Sequence, residues 1–130
     1  MIRDRRLWAG QIFLAIAFLV NGGGKVAIPA AELAAMGPAN LWVADASPEI
    51  VIVVGLLELL GAIGVILPWA TGVRRELTFW AAAGLALTML GAAGLHVVRG
   101  EMFLMPVNAA IGVIALLVAL GRRSRTAPTD

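Results

Sequence analysis

The chain has 130 residues, 61% hydrophobic and only 14% charged, with ten basic and eight acidic side chains giving a formal net charge of +2. A water-soluble domain covers its surface with about a quarter charged residues, so the composition excludes an ordinary soluble domain and points to a single integral membrane domain spanning residues 1–130. With no cysteine, one histidine and no tyrosine, disulfides, thiol redox chemistry and thiolate metal sites are excluded, and no metal site is expected. The basic residues stand in short clusters beside apolar runs, with no interleaved aromatics. They therefore read as topology signals and not as a nucleic-acid surface.

Four segments are long enough to cross about 30 Å of hydrocarbon as helices: residues 7–24, 48–67, 77–98 and 102–120. The first follows Arg3, Arg5 and Arg6, as a signal peptide would. It ends in Asn21, Gly22, Gly23, Gly24 and Lys25 with no cleavage-like site and no polar chain beyond, so it reads as a retained span. The connection from Val26 to Ser47 is apolar and helix-forming around Ala30 to Met36, then stopped by Gly37 and Pro38. This predicts a short interfacial helix over the outer mouth of the bundle. Ser47 and Pro48 form a cap and first helical position for span two. The remaining connections are short, which makes consecutive spans antiparallel neighbours. The predicted fold is an all-α, up-down-up-down four-helix membrane bundle with that interfacial helix between spans one and two.

Arginines set the orientation. Arg3, Arg5, Arg6, Arg74, Arg75, Arg122, Arg123 and Arg125 all fall on one side of an even number of spans. The positive-inside rule places that side, and both termini, in the cytoplasm of a plasma or inner membrane. Trp8, Trp69 and Trp80 fall near the same interface. Gly61-Ala62-x-Gly64 and Gly91-Ala92-Ala93-Gly94 are candidate close-packing seams. The tail, residues 124–130, is expected to be disordered.

Few polar groups interrupt the spans. Glu58 lies near the midplane of span two; Asn21 and Lys25 end span one, His96 ends span three, and Asn108 begins span four. Gln11, Phe18, Asn21 and Lys25 share one helical face. Val54, Gly55, Glu58, Gly61 and Ala62 share another, and Met89, Ala92 and His96 a third. Converging stripes predict an outward-opening cavity with Glu58 at its floor and Asn21, Lys25, His96 and Asn108 around its wall, a candidate ligand site. An ionisable residue in a span costs at least a few kcal/mol, which makes Glu58 a functional candidate. The alternative is that it only ties helices together and that Lys25 snorkels to water; Arg99 and Glu101, in a short outer turn, read as solvated loop charges.

The residues also resemble a known family. Phe18-x-x-Asn21-Gly22-Gly23-Gly24-Lys25, Gly55-x-x-Glu58-x-x-Gly61-Ala62-x-Gly64 with Pro68, and Met89-x-x-Ala92-x-x-x-His96-x-x-Arg99-Gly100-Glu101 resemble, in order, three motifs of the DoxX-like membrane family. The resemblance implies the same four-span fold. It marks Gly22, Lys25, Glu58, Gly61, His96 and Arg99 as motif positions. It also implies a link to respiratory quinone or stress-response systems, since the family takes its name from a small membrane subunit of a thiosulfate:quinone oxidoreductase.

Three functions compete. The first is a subunit or binding module for a small lipophilic molecule such as a quinone, held without a covalent bond and served by a redox partner protein. The second is a stand-alone membrane enzyme, an isomerase or hydrolase, with Glu58 and His96 as catalytic acid and base. The third is a structural or assembly protein. In each the lipid bilayer is the principal partner, and self-association stays open.

Overall fold

The structure is a computed structural model that describes residues 2–123; Arg125 and the tail expected to be disordered, 124–130, lie outside the described residues. The described residues form α1 (Ile2–Ala27), α2 (Ala30–Ala35), α3 (Pro48–Thr71), α4 (Glu76–Val98) and α5 (Met105–Arg123), with 3-10 turns at Pro38–Asp45 and Met102–Leu104. Four of these helices are long and apolar enough to cross a membrane: α1, α3, α4, and α5 with the turn preceding it. Large apolar side chains such as Ile16, Val20, Leu60, Leu87 and Leu117 point outward. A soluble monomer rarely exposes so much apolar surface. Hydrocarbon is the solvent that suits it, and the chain is a multi-pass membrane protein.

Helix α1 packs on α3, α3 on α4, α4 on α5, and α5 returns to α1, closing the ring of an up-down-up-down bundle. Its centre is filled by Leu14, Phe18, Ala62, Val65, Leu85, Met89, Ala115 and Val118. Small residues set the helix spacing where backbones come close. Gly61 lies against Leu85 and Gly64 against Ala81, so the first expected seam joins α3 to α4. The second does not join helices within the bundle: Gly91 and Gly94 have open space where a side chain would stand.

Span boundaries run wider than hydropathy suggested. Helix α1 begins at Ile2, so Arg3, Arg5 and Arg6 ride on its first turns. Helix α3 continues past Pro68 and ends at Gly72, whose φ of 76° is the left-handed cap conformation that glycine adopts without strain. Ser47 caps the start of α3, its hydroxyl accepting from the Ile50 amide at 3.4 Å. At that end, α2 and the turn Pro38–Asp45 fold over the bundle, held by Leu33 and Val43 against Val51. The helical part of this cover was expected; the eight-residue 3-10 turn was not.

Candidate functional site

The site begins with two glycines. Helices α1 and α3 cross at Gly22 and Gly55, where a Cβ on Gly22 would stand 2.7 Å from the Gly55 carbonyl oxygen and one on Gly55 would stand 2.8 Å from the Lys25 Cβ. Only hydrogen fits at both positions, so the two backbones touch. One turn beyond each glycine stand Lys25 and Glu58. Side chains on a helix lean toward its N-terminus. The helices are antiparallel, so Lys25 leans down into the bundle and Glu58 leans up to meet it.

The Lys25 Nζ donates to Glu58 Oε1 at 2.9 Å, to Glu58 Oε2 at 2.8 Å and to Asn21 Oδ1 at 3.0 Å. All three ammonium protons therefore have acceptors. The Lys25 and Glu58 side chains are only 5% and 3% exposed. Lys25 thus does not snorkel outward. Either charge alone in a span would cost several kcal/mol, and the fork-like pairing offsets much of that for both.

Above the pair opens a cavity of about 490 Å³ between the bundle and its cover. Asn21, Lys25, Glu58, His96 and Asn108 all line it, so the structure brings the five predicted site residues around one space. Its remaining wall is mainly apolar, with Ile50, Val54 and Leu57 from α3, Met89 and Leu95 from α4, and Trp42 from the cover. Gly61 stands outside this lining and serves the α3–α4 seam.

His96 ends α4 with its ring buried, and its Nδ1 lies 2.7 Å from Glu101 Oε2. A ring nitrogen fixed by a carboxylate leaves Nε2 for other partners. Arg99 grips the same carboxylate through Nε at 2.9 Å and reaches Asp45 of the cover through Nη1 at 2.5 Å. These bonds hold the Glu101 carboxyl below its ordinary range, the His96 contact foremost, and push the Arg99 guanidinium up, Asp45 foremost. Arg99 and Glu101 are therefore a rim clasp joining α4 to the cover. The sequence reading of solvated loop charges missed this, because the partner Asp45 lies 54 residues away.

Asn108, at the start of α5, brings an unfinished hydrogen bond to the cavity. Its Nδ2 is buried and has no partner, although buried amide protons are nearly always satisfied. Among the described residues, no group of three metal-ligating side chains comes together. The arrangement can bind and orient a small molecule carrying acceptor oxygens on an apolar body. It can also move a proton at Glu58 or His96.

A second buried polar network sits at the opposite, arginine-rich end. The Arg122 side chain is fully buried; its Nη1 donates to Asp4 Oδ1 at 2.7 Å and its Nε to Gln11 Oε1 at 2.7 Å, with Nη2 also on Gln11. Its guanidinium lies 4.1 Å from the Trp69 ring centroid and 5.4 Å from that of Trp8. Gln11 in turn donates to the Val65 carbonyl. That carbonyl is one residue along from Gly64, whose i+4 partner Pro68 has no N–H to give. The sequence placed Gln11 on the same stripe as Lys25 and treated Arg122 as a topology charge, so this network went unseen. Its only sequence signal was Pro68 near two tryptophans.

No curated protein and no solved structure matches the chain. The family comparison matches residues 9–118 to the model of the DoxX-like family. That stretch takes in all four spans, the Gly22–Gly55 crossing, the Lys25–Glu58 pair and the His96–Arg99 rim, and the chain belongs to the DoxX-like family.

Proposed function

We propose that the cavity is a binding site for a small lipophilic molecule with hydrogen-bonding oxygens, a quinone being the class whose chemistry fits best, and that the protein serves a redox or stress-response system as a membrane subunit. The basic end faces the cytoplasm in this reading, and the cavity opens toward the opposite face. The observation that carries the reading is the unpartnered Asn108 amide in an apolar cavity floored by the Lys25–Glu58 pair. A carbonyl oxygen would accept from Asn108 and the other polar group of the head would meet His96 Nε2, while Met89, Leu95 and Trp42 pack the ring. The chain has no cysteine and a single histidine, so electron storage falls to a partner protein.

Trp42 in the wall gives a test. A tail-less dimethoxy-methyl-benzoquinone should quench the part of the fluorescence that Trp42→Phe removes, saturably, and Glu58→Gln should weaken that quenching. Quenching that is linear in quinone and indifferent to Glu58 would refute the reading.

One observation favours a second reading. The His96 ring is oriented by Glu101, as a general base is oriented by a carboxylate, and faces the same cavity. In that reading His96 takes a proton from one position of a bound lipophilic substrate and gives the same proton back at another, beside the Lys25–Glu58 pair, an isomerisation with no net change in hydrogen. His96→Gln would then abolish turnover while leaving ligand affinity nearly intact.

A further inference from the structure

A second recess, of about 440 Å³, lies on the lipid-facing side of the α3–α4 seam, lined by Leu57, Leu60, Trp80, Gly84, Leu87 and Thr88 among others. It shares Leu57 and Thr88 with the polar cavity. The two spaces are therefore neighbours across these two side chains, which form the threshold between them midway along the helices, beside Glu58. The threshold is apolar. The Thr88 hydroxyl is turned back onto the Gly84 carbonyl at 2.9 Å, which spends its only proton inside the helix. Leu57, Leu60, Trp80 and Leu87 are exposed to the membrane along the groove. Gly84 forms its bed, with nothing within 4 Å of where its Cβ would be.

From this adjacency we infer that the cavity is entered sideways from the bilayer past Leu57 and Thr88, and that its ligand is a tailed amphiphile whose head sits by Lys25, Glu58 and Asn108 while its apolar tail lies in the α3–α4 groove over Gly84. The inference rests on the proposed reading of the cavity and adds the tail, its route and its length. From Thr88 to Trp80 the groove follows α4 for about 12 Å at the helical rise, which suits a decyl-length or short isoprenoid chain. The head is uncharged. Among the described residues, Lys25 is matched by Glu58, and Arg99 by Asp45 and Glu101, so no cation at the cavity is spare for a phosphate. A quinone-like head meets that requirement and an anionic phospholipid head does not.

The test compares the tail-less benzoquinone with its decyl-tailed counterpart in the wild type and in Gly84→Leu, reading saturable Trp42 quenching. Leucine at residue 84 meets open space and favours the helix over glycine, so the variant folds and its affinity for the tail-less quinone reports this directly. The tail should tighten binding on the order of tenfold or more in the wild type, since several methylenes leave the detergent or lipid surface for a fitted groove. Gly84→Leu should erase that gain and leave the tail-less affinity unchanged. Equal affinities for the two quinones in the wild type, or a tail gain that survives Gly84→Leu, would overturn the groove assignment while the cavity reading stands. Failure of both quinones to bind the wild type would instead sink the cavity reading, and the groove with it.

Discussion

The two ends of this bundle use the same ingredients to opposite effect. At one end Lys25 on α1 meets Glu58 on α3, at the other Arg122 on α5 meets Gln11 and Asp4 on α1, and both cations are buried. Around Arg122 the space is filled by the rings of Trp69 and Trp8, and Gln11 is spent on the guanidinium and on the Val65 carbonyl. Around Lys25 and Glu58 there is a cavity, and Asn108 beside it keeps an unused donor. A buried charge in a membrane span is thus not by itself a sign of a site. An unfinished hydrogen bond does not separate the two ends either, since the Thr78 hydroxyl in the first turn of α4, at the arginine-rich end, is also buried without one. Open volume beside the unused donor marks the site.

Substitution should break this comparison cleanly. The largest effect belongs to Glu58→Ala, which strands the Lys25 ammonium in an apolar bundle. Unfolding free energy measured in bicelles should fall by about 3–5 kcal/mol, and quinone quenching should be lost with it. Arg122→Ala removes a packed side chain and two sets of hydrogen bonds. A fall of about 2–4 kcal/mol is expected, with quinone affinity unchanged, since the cavity lies at the other end.

Asn108→Leu should sharpen the contrast. It removes a donor that has no partner, so stability should hold within about 1 kcal/mol while quinone affinity drops roughly two- to tenfold, the worth of one hydrogen bond. An equal loss in both would place Asn108 with the fastening.

The smallest effect concerns the rim. Glu101 has its folded-state pKa held below the ordinary carboxylate value, chiefly by its bond to His96. A depressed carboxyl contributes stability that is present above its unfolded pKa and lost as pH falls through the folded one. The bonds from Glu101 to His96 and Arg99 should therefore persist as pH falls through the ordinary carboxylate range and loosen only below it. Hydrogen exchange of the Arg99–Leu104 connection should follow that order, and Glu101→Gln should weaken the pH dependence there.

Much of this was legible in the chain. Apolar run length predicted the four spans, and the short connections predicted which spans are neighbours. Helical phase put Lys25, Glu58 and His96 on inward stripes, which sufficed to foresee a cavity. Phase does not give helix rotation or the depth of a long side chain. Lys25 could therefore be read as snorkelling until the Gly22–Gly55 contact fixed the crossing. Arg122 was illegible for a related reason: a terminal arginine beside a span looks the same whether it faces water or folds back onto tryptophans from two other helices. Gly91 and Gly94 repeat the small-residue spacing of Gly61 and Gly64, and only the rotation of α4 shows that they meet open space, Gly91 in the cavity lining, and not a neighbouring helix.

The most direct test of the contrast replaces each fastening whole, so that neither variant carries a stranded charge. Lys25→Met with Glu58→Leu, and Gln11→Leu with Arg122→Met and Asp4→Asn, should both give folded bundles, because a buried ion pair exchanged for uncharged side chains of similar volume is often neutral in stability. Native mass spectrometry of the gently extracted proteins, incubated with the decyl-tailed benzoquinone, then reads the outcome. The account predicts a stoichiometric adduct on the wild type and on the Gln11/Arg122 variant, and none on the Lys25/Glu58 variant. An adduct that survives loss of Lys25 and Glu58, or disappears with Gln11 and Arg122, would contradict it.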